Sequence, residues 1–447
     1  MDTNDAIAQY KGMSQSDLPA KTRYAIVGTG SRSFMFSDAI LRLYKDDAEL
    51  VAICDINPKR MEAQNAAYAA RLNAGPVATY LSRDFDKMVA EKKPQIVIVT
   101  SVDRTHHTYI IRAMELGCDV ITEKPMTIDA EKCQAVLDTV KKTGRNVRVT
   151  FNYRYAPSRT KVKELLRAGT IGDVKSIHFE WMLDTRHGAD YFRRWHRDKA
   201  NSGGLMVHKS THHFDLVNWW LDSSPTTVFG LGSLAFYGRV NGEARGDYRP
   251  YYRSTDSPAA AGDPFALNLR NGGSMETMYL NAESEDGYIR DQNVFGDGIN
   301  IEDTMNVAVR YENGAQLSYS LTAYAPIEGL RISFNGTRGR IEMDEMEKSY
   351  IAAGNSHIGD GLSTSRRITV YPHWEKPYHV EIPEAVGGHG GGDLLLLNDL
   401  FGNGAKDDPL GRAAGHVDGA RSILTGIAAN KSFATGLPVD VRTLVKF

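Results

Sequence analysis

Short apolar runs alternate with segments of helical periodicity over the first third of the chain. The runs are YAIVG, LVAICD, QIVIVT, CDVITE and NVRVTF, all between residues 24 and 151. Each is rich in β-branched residues and apolar at consecutive positions, which is typical of strands buried on both faces by crossover helices. The pattern predicts an α/β domain with a doubly wound parallel sheet over residues 23–151.

After Asn152–Tyr155 the pattern changes to longer runs in which apolar and polar positions alternate. These runs are DVKSIHFEWM, MNVAVRY, QLSYSLTAY and GLRISFNG, and turn signals such as ENG and NGTRG separate several of them. Alternation with a period of two predicts strands that bury one face. Residues 152–447 are therefore expected to form an α+β domain with a large, mostly antiparallel open sheet. An irregular insertion is expected over about residues 238–275.

The composition narrows the class of protein. The 447 residues are enough for two or three domains, and the 53 basic and 55 acidic side chains nearly cancel. No overall field therefore attracts nucleic acid or a membrane surface, and a small molecule is the expected partner. Three scattered cysteines, Cys54, Cys118 and Cys133, suit a reducing compartment. Residues 1–22 are a polar arm without a signal-peptide core, which predicts a cytoplasmic protein.

The first apolar run leads directly into GTGSRS, whose spacing is typical of the dinucleotide-binding turn of a Rossmann domain. Gly28 can make the tight turn, and Gly30 can let the backbone approach a pyrophosphate at a helix N-terminus. Ser33 replaces the third glycine with another small residue. Asp55 ends the second run, at the position of a carboxylate that binds the adenosine ribose.

The charge beside this ribose position bears on the choice between NAD and NADP. The Asp55 carboxylate repels a 2′-phosphate and favours NAD. Lys59 and Arg60 follow closely and can bind a phosphate, so NADP stays as the less favoured cofactor.

A second feature of this domain is the segment Glu123–Lys124–Pro125, which ends another apolar run. Ligands of such folds bind at the carboxyl ends of the strands, so Lys124 is expected to face the cofactor cleft. The following TIDAE is expected to cap the next helix. A surface lysine beside a helix start is the alternative interpretation.

The segment GGLMVHKSTHHFDLVNWW, residues 203–220, is rich in histidine. On one continuous helix His208 and His212 would share a face, because they are four residues apart. Asp215 would lie within reach of that face and fix a ring tautomer. Lys209 stands where a zinc protease motif has its glutamate, which disfavours a metal site. A proton-transfer site and the rim of a cleft both stay open at this point.

Two further stretches have the composition of pocket walls. DTRHGADYFRRWHRDK interleaves arginines with aromatic residues, so Tyr191 or Trp195 can stack on a sugar face. Arg193 or Arg194 can pair with an anion, although a solvated basic surface is the alternative. The glycines of GGHGGGD, residues 387–393, can bring the backbone close to a ligand and present His389, or they can form a flexible loop.

With GTGSRS, CD, EKP, FNYRY and GGLMVHKSTHHFD in this order, the chain resembles the Gfo/Idh/MocA family of NAD(P)-dependent oxidoreductases over about residues 23–345. The resemblance implies that Lys124 lies beside the reacting alcohol and the nicotinamide. It also implies that His212 matches the last histidine of the family's D-x-x-x-H helix and that this helix lies opposite the nicotinamide, which favours proton transfer. His208 replaces the aspartate of that pattern, so the principal base stays open among Lys124, His208 and His212. Family members pair their sheets, which implies a homodimer or homotetramer.

The motifs and the resemblance together define three groups of candidate site residues. The catalytic candidates are Lys124, His212 and His208. The cofactor candidates are Gly28, Gly30, Ser31, Arg32, Ser33, Asp55, Thr100, His106, Glu123, Lys124 and Asn152. The substrate candidates are Arg154, Tyr191, Arg193, Arg194, Trp195, His213 and His389.

The leading functional hypothesis is NAD-dependent abstraction of hydride from a ring carbon of a sugar or glycoside, with C3 as the expected position. The enzyme would be a dehydrogenase that releases NADH, or a redox-neutral glycosidase that uses the oxidation to expel the aglycone. The H-G-G-x-D stretch is similar to one in NAD-dependent glycosidases related to the family, and the arginines suggest an anionic substrate. A non-catalytic NAD-sensing regulator is the alternative, against which Lys124 and His212 argue.

Overall fold

The computed structural model describes residues 21–352, 361–384, 388–402 and 407–447. The predicted N-terminal arm, residues 1–22, lies almost entirely outside this range. In the described part of the chain the strands form one six-stranded and one nine-stranded sheet. Across the same residues, no helix combines the length and the apolar character needed to cross a membrane.

The first sheet is parallel throughout, with the order β3-β2-β1-β4-β5-β6, so the predicted doubly wound sheet is confirmed. Its strands are β1 Thr22–Val27, β2 Ala48–Asp55, β3 Thr79–Leu81, β4 Ile96–Val99, β5 Asp119–Thr122 and β6 Val147–Val149. The central strands are the apolar runs of the sequence, and their side chains are buried on both faces. The strand order reverses between β1 and β4, and ligands of open α/β sheets bind at that point.

Helices cover both faces of this sheet. They are Ser33–Asp38, Pro58–Leu72, Phe85–Lys92, His106–Glu115 and Ala130–Thr143. The predicted cap within TIDAE is confirmed, because the Asp129 carboxylate accepts from the Lys132 amide at 2.9 Å. Asn57 caps the second helix in the same way and accepts from the Lys59 and Arg60 amides. These caps fix the backbone at the ends of the strands, where a ligand binds.

The second sheet has the order β14-β13-β12-β11-β7-β10-β9-β8-β15. β7 and β10 are parallel and the other pairs are antiparallel, which confirms a mostly antiparallel sheet. Its strands are β7 Val174–Asp184, β8 Pro225–Ser233, β9 Thr304–Tyr311, β10 Gln316–Ala325, β11 Glu328–Gly336, β12 Gly339–Tyr350, β13 Gly361–Pro372, β14 Tyr378–Val380 and β15 Val439–Asp440. Helices bury one face, on which Ile177, Phe179 and Trp181 of β7 lie, and the other face is open.

The remaining helices lie around this sheet. They are Pro157–Arg167, Thr185–Arg193, Lys199–Ser202, Leu205–His208, Thr211–Leu221, Arg239–Arg245, Ser274–Met278, Glu283–Asp286, Gly392–Phe401 and His416–Thr435. The predicted insertion is longer than expected, because residues 234–303 connect β8 to β9 with only short helical turns. It is anchored at Asp303, whose carboxylate accepts from three successive backbone amides, those of residues 235, 236 and 237.

The prediction of one continuous histidine helix is wrong. Leu205–His208 and Thr211–Leu221 are separate helices joined by Lys209 and Ser210. The His212 amide bonds the Lys209 carbonyl, three residues back, at 3.3 Å. His208 therefore ends one helix and His212 begins the next, so the spacing of four residues does not place their rings on one helical face.

Candidate functional site

The glycine turn after β1 has the backbone that a dinucleotide site needs. Gly28 has a φ of +92°, and a Cβ there would lie 2.4 Å from the Ser101 amide nitrogen, so only glycine fits. At Gly30 the nearest neighbour of a Cβ would be the Tyr279 hydroxyl, at 3.7 Å, which is an ordinary van der Waals contact. Ser33 is buried, and its hydroxyl donates to the Gly30 carbonyl at 2.7 Å. The residues of the turn therefore fit a dinucleotide.

Asp55 lies at the end of β2 with four donors around its carboxylate. Its Oδ2 accepts from the Thr29 amide at 2.6 Å and the Thr29 hydroxyl at 2.9 Å. Its Oδ1 accepts from the Asn57 amide at 2.9 Å and from Arg60 at 3.3 Å. A carboxylate offers about four lone-pair positions, and these contacts fill them. Asp55 thus holds the glycine turn, and the long Arg60 contact is the one that a ribose hydroxyl can most readily replace.

Other cofactor candidates support the backbone around the turn. The Thr100 hydroxyl donates to the Gly28 carbonyl at 2.6 Å. The His106 ring lies 2.8 Å from the Pro125 carbonyl and 3.0 Å from the Ser101 carbonyl. Burial lowers the pKa of His106. The ring therefore joins the segment after β4 to the segment after β5, and both face the cofactor cleft.

Arg32 and Ser31 reach in opposite directions from the start of the first helix. The Arg32 Nε donates to Glu123 at 2.5 Å, and Glu123 also accepts from the Lys124 amide at 3.1 Å. The Ser31 amide and hydroxyl lie 3.1 and 2.8 Å from the Tyr279 hydroxyl. The turn is therefore tied to the E-K-P segment on one side and to the insertion on the other.

Lys124 extends from the carboxyl edge of the first sheet towards the histidine segment. Its Nζ donates to the His208 carbonyl at 3.3 Å. Burial is the main influence on its pKa and lowers it to about 8, while the carboxylates of Glu123 and Asp103 oppose the shift. A lysine with that pKa is partly in the amine form near neutral pH and can accept a proton.

Asp103 binds the ring of His208 and was not among the predicted site residues. The His208 Nδ1 and the Asp103 Oδ2 are 2.5 Å apart, and both residues are buried. Burial lowers the pKa of His208 well below its ordinary value and raises that of Asp103, because it disfavours the charged form of each group. Asp103 begins the helical turn that follows β4. An acidic residue in the loop just after a strand end, here four residues beyond Val99, is the sequence signal that could have identified it.

His212 stacks on Tyr153, with ring centroids 4.3 Å apart. Its Nδ1 is buried and has no hydrogen-bond partner among the described residues. Burial and neighbouring cations lower its pKa well below its ordinary value. Asp215 does not orient it, contrary to the prediction, because both Asp215 oxygens accept from Arg154 at 2.6 and 2.8 Å. His212 is thus a neutral ring close to the charge of Lys124.

His389 comes from the far end of the chain and lies 5.6 Å from the Tyr153 ring. Its Nδ1 lies 2.9 Å from Asp393, which also accepts from the Asn152 amide group at 2.7 Å. Burial alone would raise the pKa of Asp393, but the hydrogen bond and charge of His389 and nearby cations lower it to about 2. A Cβ at Gly392 would lie 2.1 Å from the Asn152 carbonyl oxygen, so a glycine is required for this approach.

Tyr191, Trp195 and His196 form a wall of rings next to His208. His196 stacks on Trp195 at 3.5 Å between centroids and meets the His208 ring edge-on at 4.2 Å. Tyr191 lies 5.4 Å from both histidine rings. Burial lowers the pKa of His196 well below its ordinary value, so the ring is neutral. His196 lies within the predicted wall segment but was not among the candidate site residues.

Three arginines surround Asp190 at the outer side of this wall. Arg193, Arg194 and Arg290 lie 3.3, 3.1 and 2.9 Å from its carboxylate. Burial would raise the pKa of Asp190, but the three guanidinium groups lower it, so it stays ionised. Arg193 also donates to the Phe265 carbonyl at 2.7 Å. One carboxylate cannot neutralise three guanidinium groups, so the cluster keeps a net positive charge. Arg290, which comes from the insertion, was not among the predicted site residues.

A cavity of about 620 Å³ lies beside the Asp190 cluster and is lined further by Arg186, His187 and Lys348. His187 also belongs to a group with Asp184 and Glu328 whose potential metal-binding atoms lie within 4.8 Å of one another. Lys348 donates to Asp184 at 2.6 Å, and the His187 ring lies 2.9 Å from Glu328. These groups already have protein partners that a metal ion would have to displace.

Lys209 is a second lysine near the histidine segment, and it is buried. Its Nζ donates to the Tyr153 hydroxyl at 3.3 Å and lies 4.7 Å from the Trp181 ring centroid. Burial lowers its pKa, and the carboxylates of Glu328 and Glu347 oppose the shift. Sequence reasoning used this residue only to disfavour zinc and missed its position.

Two substrate candidates do not lie in the cleft. The Arg154 guanidinium is buried between Asp215 and Asp418, because an interior arginine needs carboxylate partners. The His213 ring lies 2.7 Å from the Tyr319 hydroxyl of the second sheet and is fully buried. Adjacent residues of a helix point in different directions, so His213 faces the sheet when its neighbour faces the cleft.

Two family models match the chain. The model described as "Oxidoreductase family, NAD-binding Rossmann fold" matches residues 22–151. The model described as "Oxidoreductase family, C-terminal alpha/beta domain" matches residues 163–441.

Several curated proteins are similar in sequence. YteT of Bacillus subtilis (strain 168), which is named as an oxidoreductase, is 37% identical over 434 residues, 93% of this chain and 97% of YteT. The D-glucoside 3-dehydrogenase of Escherichia coli (strain K12) is 30% identical over 165 residues, 36% of this chain and 44% of that protein. A glycosyl hydrolase family 109 protein of Shewanella sp. (strain W3-18-1) is 23% identical over 392 residues, 84% of this chain and 74% of that protein.

The aldose-aldose oxidoreductase of Caulobacter crescentus, solved with glycerol, has a similar structure. The TM-score is 0.61 at 16% sequence identity, and the match covers 94% of this chain and 100% of the solved chain. At this identity the similarity concerns the fold.

Proposed function

The chain belongs to the Gfo/Idh/MocA oxidoreductase family, and on that premise we propose that it is an NAD-dependent enzyme that oxidises a CH–OH group of a sugar or glycoside ring, at C3. The observation that carries the proposal is the meeting of Lys124 with the Asp103–His208 pair beside the glycine turn. Alcohol oxidation needs a proton acceptor at the reactive end of the cofactor. The name of the Escherichia coli relative supports C3 as the position.

The residues of the cleft have separate roles in this reaction. When bound, NAD supplies the acceptor for the hydride that leaves the ring carbon. Lys124 in its amine form takes the proton of the same hydroxyl, and the His208 carbonyl positions its Nζ. The His208 ring, held by Asp103, binds a neighbouring hydroxyl. His212 is fixed against Tyr153 and offers a neutral ring to the sugar.

A redox-neutral glycosidase is the second candidate, and the His389–Asp393 pair favours it. Oxidation at C3 acidifies the C2 proton, a base removes that proton, and the C1 substituent leaves with its bonding electron pair. Water then adds to the resulting double bond, and return to C3 of the hydride that was removed in the first step, together with a proton, restores the hydroxyl. This sequence needs a second acid–base group, and His389 lies 6.2 Å from His212 on another wall of the cleft. The family 109 relative supports the same reading.

The substrate is proposed to carry an anionic group. Arg193, Arg194 and Arg290 exceed the single charge of Asp190, and the adjoining cavity is large enough for a further sugar residue. Arg193 lines that cavity, whereas Arg194 lies against the His196 ring, which stacks on Trp195, so Arg194 is the candidate for an anionic group next to the histidines. A bidentate arginine contact favours carboxylate, sulfate or sulfonate groups.

The open face of the second sheet is the proposed contact between copies of the chain. Phe229 and Leu231 of β8 are 40% and 65% exposed on this face, beside a groove of about 650 Å³. Exposed apolar residues on a sheet face favour association. Light scattering of the eluting protein would distinguish a homodimer or homotetramer from a monomer.

The test of the proposed function begins with mass spectrometry of the purified protein for retained dinucleotide. Aryl glycosides are then screened without added oxidant, and free sugars are screened with added NAD. Catalytic release of aglycone with retained cofactor selects the glycosidase, whereas stoichiometric NADH from a free sugar selects the dehydrogenase. Dinucleotide binding without either activity, across neutral and anionic sugars, would point to the regulatory alternative.

A further inference from the structure

One turn of the insertion contacts the first domain next to the predicted ribose position. This acidic turn, Glu283–Asp286, has the sequence ESED. Asn57 donates its side-chain amide to the Ala282 carbonyl, directly before the turn, at 2.9 Å. Three residues before Ala282, the Tyr279 hydroxyl lies 3.1 Å from the Ser31 amide of the glycine turn. The insertion therefore contacts both the pyrophosphate end and the ribose end of the site.

The acidic turn pairs with the two cations that follow Asp55. Lys59 lies 3.2 Å from Glu285 and donates to the Ser284 hydroxyl at 2.9 Å. Arg60 forms a short ion pair with Asp286 and a longer contact of 3.3 Å with Asp55. Arg60 and Asp286 are both nearly buried, with about a tenth of each side chain exposed. Because water is largely excluded, these charges act on one another with little screening.

These contacts change the balance of charge beside the ribose. In Rossmann domains an arginine near the end of the second strand can accommodate the 2′-phosphate of NADP. Here Arg60 lies between two carboxylates, so Asp55, Arg60 and Asp286 together carry one net negative charge. A 2′-phosphate would approach this negative group without a free guanidinium to bind.

We propose that the acidic turn selects NAD against NADP and that Asp286, contributed by the second domain, is the specificity-determining residue. The proposal rests on the dinucleotide site of the proposed function and assigns part of its selectivity to the insertion. Asp55 alone is a weaker determinant, because its lone pairs hold Thr29 and Asn57 and so maintain the turn for either dinucleotide.

The test compares dissociation constants of NAD and NADP by calorimetry for the full-length protein and for Asp286→Asn. The asparagine keeps the shape, removes the charge and frees Arg60 for the 2′-phosphate. A charge-assisted hydrogen bond of this kind corresponds to about tenfold or more in affinity. NADP binding should therefore tighten about tenfold or more, with NAD binding changed by less than about threefold. Adenosine 2′,5′-bisphosphate and 5′-AMP, compared in the same way, report on this end of the site alone.

Three further variants make the result specific. Glu283→Gln removes a charge from the same turn, but Glu283 pairs with Arg253 within the insertion, so the NADP preference should not change. Asp286→Glu keeps the charge and should keep the preference for NAD. Arg60→Met added to Asp286→Asn should cancel the gain in NADP affinity. Melting temperatures and NAD binding identify any variant that fails to fold. If Asp286→Asn fails to fold, Asp286→Ala replaces it.

Two results separate this proposal from the function on which it rests. An unchanged ratio of NADP to NAD affinity in folded Asp286→Asn and Asp286→Ala, with NAD still bound, would overturn the role of the acidic turn and leave the proposed function standing. Failure of the unmodified protein to bind either dinucleotide would overturn both.

Discussion

Replacement of Lys124 by methionine tests the central group of the cleft. Burial lowers the pKa of Lys124 to about 8. At pH 7.5 that value leaves about a quarter of the side chain as amine, whereas an ordinary lysine pKa near 10.4 would leave about one part in a thousand. The site therefore increases the population of the proton acceptor by about two hundredfold. Since general bases contribute about 10² to 10⁴ in rate, we expect Lys124→Met to lose at least about a hundredfold in turnover.

The same substitution should leave the fold intact and raise its stability near neutral pH. The folded pKa of Lys124 lies below the unfolded one, so the native state holds the charged form at a cost that is complete below about pH 8. That cost declines between the two pKa values and vanishes above the unfolded pKa. It amounts to at most about 3 kcal/mol for a shift of this size, and partial exposure of the side chain reduces it. Methionine removes the charge, so the melting temperature at pH 7 should not fall.

The assay combines steady-state turnover with NAD binding by calorimetry. The pH profile of the unmodified enzyme should rise through about pH 8 as Lys124 loses its proton. Lys124→Arg keeps a positive charge but cannot accept a proton at any pH of the assay, so it should be as inactive as Lys124→Met. Lys141→Met, at an exposed position of the helix Ala130–Thr143, is the matched control and should be fully active. Unchanged turnover in folded, NAD-binding Lys124→Met would refute the reasoning and assign the proton transfer to a histidine.

Three other predictions concern the remaining walls of the cleft. Asp103→Asn removes the carboxylate that holds the His208 ring, so turnover should fall about tenfold or more while NAD binding, measured by calorimetry, is kept. A normal turnover number would mean that Asp103 does not position His208 for the reaction. Arg194→Met should raise KM about thirtyfold for an anionic glycoside and hardly change it for the neutral counterpart, and equal KM changes in paired kinetics would eliminate the anion pocket. In a redox-neutral enzyme His389→Gln should slow aglycone release about a hundredfold, yet a single turnover should still produce the NADH absorbance. Loss of both signals in that variant would place His389 in the oxidation step instead.

Five strands of the first sheet and four of the second could be predicted from the sequence, because periodicity depends on which face of a segment is buried. Consecutive apolar positions identified the parallel strands, and alternation identified the second sheet. The glycine turn was equally local: only glycine allows the φ of Gly28 and the approach of Ser101. The cap at Asp129 was predictable for the same reason, since its partner lies three residues away.

Partners far apart in the chain could not be derived in this way. Asp103 contacts the His208 ring, which is 105 positions away in the chain. Asp215 accepts hydrogen bonds from Arg154, 61 positions away, and does not orient its near neighbour His212. The break at Lys209 and Ser210 also depends on tertiary packing, because the local periodicity fits one continuous helix.

The amino-acid sequence by itself thus determined the type of both sheets, the dinucleotide turn and the lysine at the carboxyl edge, since each follows from the backbone and burial requirements of short segments. The tertiary structure alone decided which carboxylate pairs with which cation. Asp286 meets Arg60 across 226 positions, and Arg290 joins Arg193 and Arg194 around Asp190. A buried charge is costly unless an opposite charge lies beside it. These pairs therefore depend on how the insertion packs against both domains, and they leave no periodic signal in the chain.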